Sequence, residues 1–126
     1  LRLERMIERK KIFIVDDDPS VRKALQRFIT SVGSRVETYA SSQEFLDSVP
    51  VDAEGCLILD VRMPGLNGLG LQSKMATMKY KLPIIFMTAY DNPQDRKQAM
   101  EAGAVAFLQK PFSDQELLEV IRSALE

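Results

Sequence analysis

Histidine is absent from these 126 residues and cysteine occurs once. Without histidine the chain has no Ser-His-Asp or Cys-His machinery, no imidazole metal ligand and no phosphohistidine of its own. Whatever chemistry it carries must run on Asp, Lys, Thr and Ser. The single thiol, Cys56, lies in the apolar run CLILD. No intrachain disulfide can form, so it reads as a buried, inert side chain in a reducing setting. Long apolar runs are lacking too: none approaches the ~18 residues of a bilayer span, and the N-terminus has no signal-peptide core. A cytoplasmic protein without a membrane partner is therefore expected. Nor is there an excess of one charge, since 17 basic residues face 18 acidic ones for a net charge of −1. That balance gives no global attraction to nucleic acid.

What is present is ordinary globular composition, 45% apolar and 28% charged. A chain of this length buries roughly two-thirds of the surface it exposes when unfolded, enough for one self-sufficient domain. From Lys11 onward short apolar runs alternate with stretches of helical period. The runs are KIFIVD (11–16), RVETYA (35–40), CLILDV (56–61), PIIFMTA (83–89) and AVAFLQ (104–109). The first, third and fourth are almost continuously apolar, as central strands covered on both faces must be. RVETYA alternates and reads as an edge strand. Between the first two runs, Val21, Ala24, Leu25, Phe28 and Ile29 form an i, i+3, i+4, i+7, i+8 stripe for packing on a sheet. Asp18 is placed as an N-cap with Pro19 at the first helical position. Ser41 with Glu44, and Ser113 with Glu116, have capping-box spacing. Asn92-Pro93 opens another helix and Gly103 closes it. The helix after PGLNGLG is the weakest expectation, because Gly68 and Gly70 lower its propensity. The rhythm predicts an α/β fold: a doubly wound, five-stranded parallel sheet with five helices.

Ligands of such sheets bind outside the carboxyl ends of the strands. The predicted strands end at Asp16 and Asp17, at Asp60, at Thr88 and at Lys110. Three like charges at one edge repel one another and need compensation. A carboxylate cluster without His or Cys suits a hard, oxygen-loving cation, and Mg²⁺ is the usual one where phosphate is handled. Lys110 is the natural partner of an anion, and Thr88 can donate to one of its oxygens. Carboxylate, divalent metal and lysine around one point make a phosphoryl-transfer site, with Asp as a conceivable nucleophile. Met63, Met75, Met78, Met87 and Met100 read as packing residues, since thioethers mismatch such a site.

The pair Asp16-Asp17, LDVRMPGLNG around Asp60, MTA containing Thr88, and FLQKPF with Phe107, Lys110 and Pro111 resemble the receiver domain of two-component response regulators. The likeness covers residues 11–126, leaving 1–10, LRLERMIERK, as an N-terminal extension or linker. It implies the flavodoxin-like strand order 2-1-3-4-5, and that Asp60 is the phosphoacceptor for a sensor histidine kinase. Asp16, Asp17, Asp60 and the backbone carbonyl of Arg62 would hold Mg²⁺, Asp16 largely through water. Lys110 would pair with the phosphoryl oxygens. Thr88 would bond to the phosphoryl group and shift, letting Phe107 move inward. The Lys110-Pro111 peptide would be cis. Arg62 and Tyr90 occupy positions that tune how long the phosphoryl group lasts; both are large and neither orients water well, so slow hydrolysis is expected.

The same resemblance allows a helix-turn-helix DNA-binding output domain in a longer parent chain, an idea the missing initial Met also suggests. It allows a phosphorylation-enhanced homodimer through the fourth-helix and fifth-strand face, and it implies no direct nucleic-acid contact by this domain. Two other functions compete. One is a phosphorylation-independent scaffold. The other is a phosphohydrolase of the haloacid-dehalogenase type with Asp60 as transient nucleophile. That chemistry requires an acid two residues after the nucleophile, where this chain has Arg62, and a cap domain that is lacking. The domain is accordingly expected to catalyse only its own phosphorylation and dephosphorylation.

Overall fold

The structure, a computed structural model, describes residues 10–126. Apart from Lys10, the proposed N-terminal extension lies outside the described residues. Five strands and five helices alternate: β1 (Lys11–Val15), α1 (Pro19–Ser31), β2 (Arg35–Tyr39), α2 (Ser42–Ser48), β3 (Gly55–Asp60), α3 (Gly68–Met78), β4 (Ile84–Thr88), α4 (Pro93–Glu101), β5 (Ala106–Gln109) and α5 (Asp114–Leu125). All pairings are parallel, in the order β2-β1-β3-β4-β5. The continuously apolar runs are thus the three interior strands and RVETYA is an edge, as their patterns require.

Alternate strand residues feed two cores. Phe13, Val15, Leu57, Leu59 and Phe86 face α2, α3 and α4 through Phe45, Leu71, Met75 and Ala99. Ile12, Ile14, Ile58, Ile85 and Met87 face α1 and α5 through Leu25, Ile29, Leu117 and Ile121. Of the predicted stripe on α1, Leu25 and Ile29 are buried and Val21 and Phe28 pack partly against them, but Ala24 is exposed. At 100° per residue Ala24 lies at the margin of the arc that Leu25 and Ile29 centre, so a methyl there reaches solvent. The methionines also divide: Met63, Met75 and Met87 are core, whereas Met78 and Met100 are exposed on helices. Cys56 is fully buried, and that burial pushes its thiol up to about 12.

The helix starts follow the predicted caps. Asp18 accepts from the Ser20 N–H, Ser41 from Glu44, Ser113 from Glu116, and Asn92 from both Gln94 and Asp95. Gly103, at φ +101°, follows the end of α4. The doubtful helix forms because its glycines fall in the first turn, where Asn67 caps it by accepting from the Gly70 N–H at 2.8 Å. Gly68 has a positional reason: a Cβ there would come within 2.3 Å of the Asp60 carbonyl oxygen. Only glycine lets α3 start against the end of β3. Asn67→Ala should lower stability by about 1 kcal/mol in urea unfolding, the value of a lost N-cap; an unchanged midpoint would mean that packing of Leu71 and Met75 alone sets this helix start.

Candidate functional site

Four strand ends meet on the carboxyl edge. β3 ends in Asp60, β4 ends in Thr88, Asp16 and Asp17 follow β1, and Lys110 follows β5. Parallel register brings them level: Val15 pairs with Leu59, Asp60 with Met87, and Thr88 with Gln109. The Lys110 N–H donates to the Thr88 carbonyl at 2.8 Å, and the Lys110-Pro111 peptide is cis.

Asp16 is only 1% exposed, yet both its carboxylate oxygens are occupied. Oδ1 accepts from the Asp18 N–H at 2.9 Å and Oδ2 from Lys110 Nζ at 3.0 Å. Arg22 Nη1 donates to the Asp16 carbonyl at 2.7 Å, tying the start of α1 to this turn. Thus one of the three successive aspartates caps a helix, one is buried against a lysine, and Asp17 is exposed. Asp60, 6% exposed, has Lys110 Nζ at 3.7 Å from its Oδ1. Burial raises the Asp60 carboxyl to about 6, the Asp16 charge adds to that, Lys110 acts in the opposite sense, and Asp17 contributes last among the charges.

Asp16, Asp17 and Asp60 each offer one carboxylate oxygen, and the three oxygens lie within 4.8 Å of one another. An all-oxygen set that is partly buried and under-compensated by a single ammonium fits a hard divalent cation. Lys110, with its Nζ 3.7 Å from Asp60 Oδ1, gives an anion beside that carboxylate a charge partner.

Thr88 Oγ1 donates to the Tyr90 carbonyl at 2.9 Å and accepts from the Tyr90 N–H at 3.2 Å. Tyr90 itself is 77% exposed. Phe107 is buried on β5, its ring 6.0 Å from that of Phe86, with the Arg96 guanidinium 5.0 Å above it. Arg96 is in turn held by both oxygens of Asp91, at 3.2 and 2.9 Å. Arg62, two residues past Asp60, reaches Asp95 on α4. Sequence reasoning missed Asp91, Asp95 and Arg96. Their only local signal was a cluster of charge around the Asn92-Pro93 helix start, and charge at a helix start ordinarily signifies a solvated turn.

A doubly wound sheet of this order, with an acidic triad and a lysine on its carboxyl edge, defines a receiver-type α/β domain. The family of the response regulator receiver domain matches residues 12–122. Nodulation protein W of Bradyrhizobium diazoefficiens is 44% identical over 115 residues, covering 91% of this chain and 51% of that protein. The transcriptional regulatory protein TdiR of Thauera aromatica is 43% identical over 114 residues, covering 90% and 50%. The chain therefore spans about half the length of these curated relatives. Among solved structures, response regulator StyR superposes with a TM-score of 0.88 at 41% identity, covering 93% of this chain and 59% of that one. FixJ-N superposes at 0.86 with 35% identity, covering 92% and 93%. The chain belongs to the response regulator receiver domain family, a signalling domain of two-component systems and not a classical enzyme.

Proposed function

We propose that this domain takes a phosphoryl group onto Asp60 from the phosphohistidine of a sensor histidine kinase and thereby changes the surface it offers an output. The observation that carries the reading is the burial of Asp60 between two further carboxylates and one ammonium at the sheet edge. A carboxylate raised to about 6 is ionised at neutral pH and more basic than a free aspartate, which favours it as nucleophile. Its oxygen bonds to phosphorus as the bond from phosphorus to the imidazole nitrogen breaks, and the histidine leaves with no change of oxidation state. Asp16, Asp17 and Asp60, with the Arg62 carbonyl, would hold Mg²⁺, which would supply positive charge to offset carboxylate repulsion and phosphoryl charge. Lys110, already facing Asp16 and Asp60, pairs with the transferred oxygens.

Thr88 carries the signal outward. A hydroxyl has one proton, and here it is given to the Tyr90 carbonyl. Donating it to a phosphoryl oxygen releases that carbonyl and the turn that includes Asp91. Asp91 holds Arg96 over Phe107, so movement of the turn loosens the cover of the switch aromatic. The face of α4, β5 and α5 then differs between two states. The longer relatives, one of them named a transcriptional regulatory protein, favour a DNA-binding output in a longer parent chain, with a phosphorylation-enhanced homodimer as the means of control. This domain acts in the cytoplasm and catalyses only gain and loss of its own phosphoryl group. Arg62 and Tyr90, the two lifetime-tuning positions, offer no carboxylate or carboxamide to orient water, so the aspartyl phosphate decays slowly. No described helix is long and apolar enough to cross a membrane.

Incubation with acetyl phosphate and Mg²⁺ should add one phosphoryl group by intact mass, and EDTA or Asp60→Asn should abolish it. A folded protein that gains no mass would overturn the phosphoacceptor reading and bring the phosphorylation-independent scaffold forward.

A further inference from the structure

Phe107 is already inside the fold, 6% exposed, while the Thr88 hydroxyl is still bonded to the Tyr90 carbonyl. The ring therefore has no inward swing left to make. Phe86 packs beside it in the core, with ring centroids 6.0 Å apart, and the Arg96 guanidinium lies over it, 5.0 Å from the ring centroid. That guanidinium is aimed. Nε and Nη2 of Arg96 donate to the two oxygens of Asp91, at 3.2 and 2.9 Å, a planar fork matched to a carboxylate. The helix does not hold the charge there: the Arg96 N–H donates to the Asn92 carbonyl at the start of α4, where the helix dipole disfavours a cation. Asp91 and the ring face hold it. Asp91 follows Tyr90 directly, and the N–H and carbonyl of Tyr90 are both bonded to the Thr88 hydroxyl. A continuous chain of contacts thus runs from the hydroxyl at the end of β4 to the aromatic on β5.

We infer that Arg96 and Asp91 form a latch that holds the domain in its unphosphorylated arrangement: the forked guanidinium over Phe107 resists the movement of the 88–91 turn that accompanies phosphorylation of Asp60. The inference rests on the phosphoacceptor reading above and adds to it what sets the resting balance of the two states. In the latched state Thr88 gives its proton to the Tyr90 carbonyl and Arg96 covers Phe107. In the released state that proton goes to a phosphoryl oxygen, the turn moves, and Asp91 carries the guanidinium off the ring. The fork and the ring contact exist only in the first state, so they bias the equilibrium toward it by their full worth. The element that moves at the surface is then an arginine and not the aromatic. Partly exposed groups suit this task. With side chains 45% and 33% exposed, the Arg96–Asp91 pair is weak enough to yield to one new contact at Thr88.

The test measures initial rates of phosphorylation by acetyl phosphate and Mg²⁺, read by intact mass at pH 7.5, in wild type, Arg96→Met, Asp91→Asn and the double variant. Thermal unfolding of each unphosphorylated protein is recorded alongside. Thr88 serves the incoming group only in the released state, so the rate follows the released fraction. Arg96→Met, which keeps an apolar stem over the ring and loses the charge, should react about fivefold faster, the population equivalent of one partly exposed ion pair and one cation–π contact. Asp91→Asn, which leaves Arg96 free to stack, should gain about threefold, and the double variant no more than Arg96→Met. Long-range charge would act oppositely on the two, slowing Arg96→Met and speeding Asp91→Asn, so acceleration of both belongs to the latch. Arg96→Lys, which keeps a cation but not the fork, should lie between wild type and Arg96→Met. Lys97→Ala, on the same helix and 4.0 Å from Glu101, should match wild type. A wild-type or slower rate in folded Arg96→Met overturns the inference and leaves Arg96 a cover for the core. A wild-type rate in Asp91→Asn overturns it too, because the cover is then not tied to the Thr88 turn. Accelerations that multiply in the double variant do the same, since the two residues then act separately. Failure of wild type to gain a phosphoryl group instead removes the phosphoacceptor reading, and this one with it.

Discussion

Lys110→Met should destabilise the metal-free protein by about 3 kcal/mol at pH 7.5, far more than loss of an exposed ion pair. The difference lies in what the lysine leaves behind. Asp16 is 1% exposed and its Oδ2 has Lys110 Nζ at 3.0 Å, while Asp60 Oδ1 has the same nitrogen at 3.7 Å. Remove the ammonium and two buried carboxylates face each other, with Asp17 nearby and no other cation bridged to either among the described residues. Arg22 does not substitute, because it donates to the Asp16 carbonyl and not to the carboxylate. Methionine keeps the aliphatic stem, so the loss reports charge more than packing. Urea unfolding in EDTA measures it. Two further results follow from the same cause. Mg²⁺ should restore much of the loss, since a divalent cation supplies the missing charge to the acidic triad. In an Asp60→Asn background the substitution should cost clearly less, because one of the carboxylates it exposes is gone. A loss below about 0.5 kcal/mol, typical of a solvent-screened pair, would mean that water already compensates this cluster.

The acidic edge was legible in the sequence because interior parallel strands read as uninterrupted apolar runs, and their ends could be counted to within about two residues. Asp16, Asp60, Thr88 and Lys110 each stand at such an end, and the register then brings them together without adjustment. Helix starts were legible for a similar reason: Asp18-Pro19 and Asn92-Pro93 state their caps locally. The α3 start was not, because Gly68 reads as a helix breaker until its contact with the Asp60 carbonyl is seen, and that contact is tertiary. Long side chains were the other gap. Arg62 meets Asp95 and Arg96 covers Phe107 through reach and not through periodicity. Neither pairing leaves a spacing signal, because a flexible side chain can select among many neighbours. Such arms bridge elements that the backbone leaves separate. Here they link the α4 start both to the loop after Asp60 and to the aromatic on β5.

Asp60→Asn should make the metal-free protein more stable at pH 7.5, by about 2 kcal/mol or a rise in Tm of roughly 6–8 °C for a domain of this size. The sign follows from proton binding. Burial, reinforced by Asp16 and opposed by Lys110, raises the Asp60 carboxyl to about 6 in the native state, whereas an unfolded aspartate titrates near about 3.9. Above pH 6 both states are ionised and the native state carries the full cost of holding the charge out of water. As pH falls from about 6 toward about 4, the native state takes up a proton that the unfolded chain does not, and wild-type stability from this group rises. Asparagine never bears the charge, so its advantage should be complete above pH 6 and should fade by about pH 4. Mg²⁺ at neutral pH should narrow the same gap from the other direction, because a bound cation stabilises the native carboxylate cluster and has less to bind once Asp60 is replaced. Thermal unfolding of both proteins between pH 4 and 8, with EDTA and then with Mg²⁺, resolves the two effects. An advantage that grew toward acid, or that was absent at pH 7.5, would show that Asp60 ionises as an exposed aspartate does, and the charge tension assigned to this edge would have to lie elsewhere.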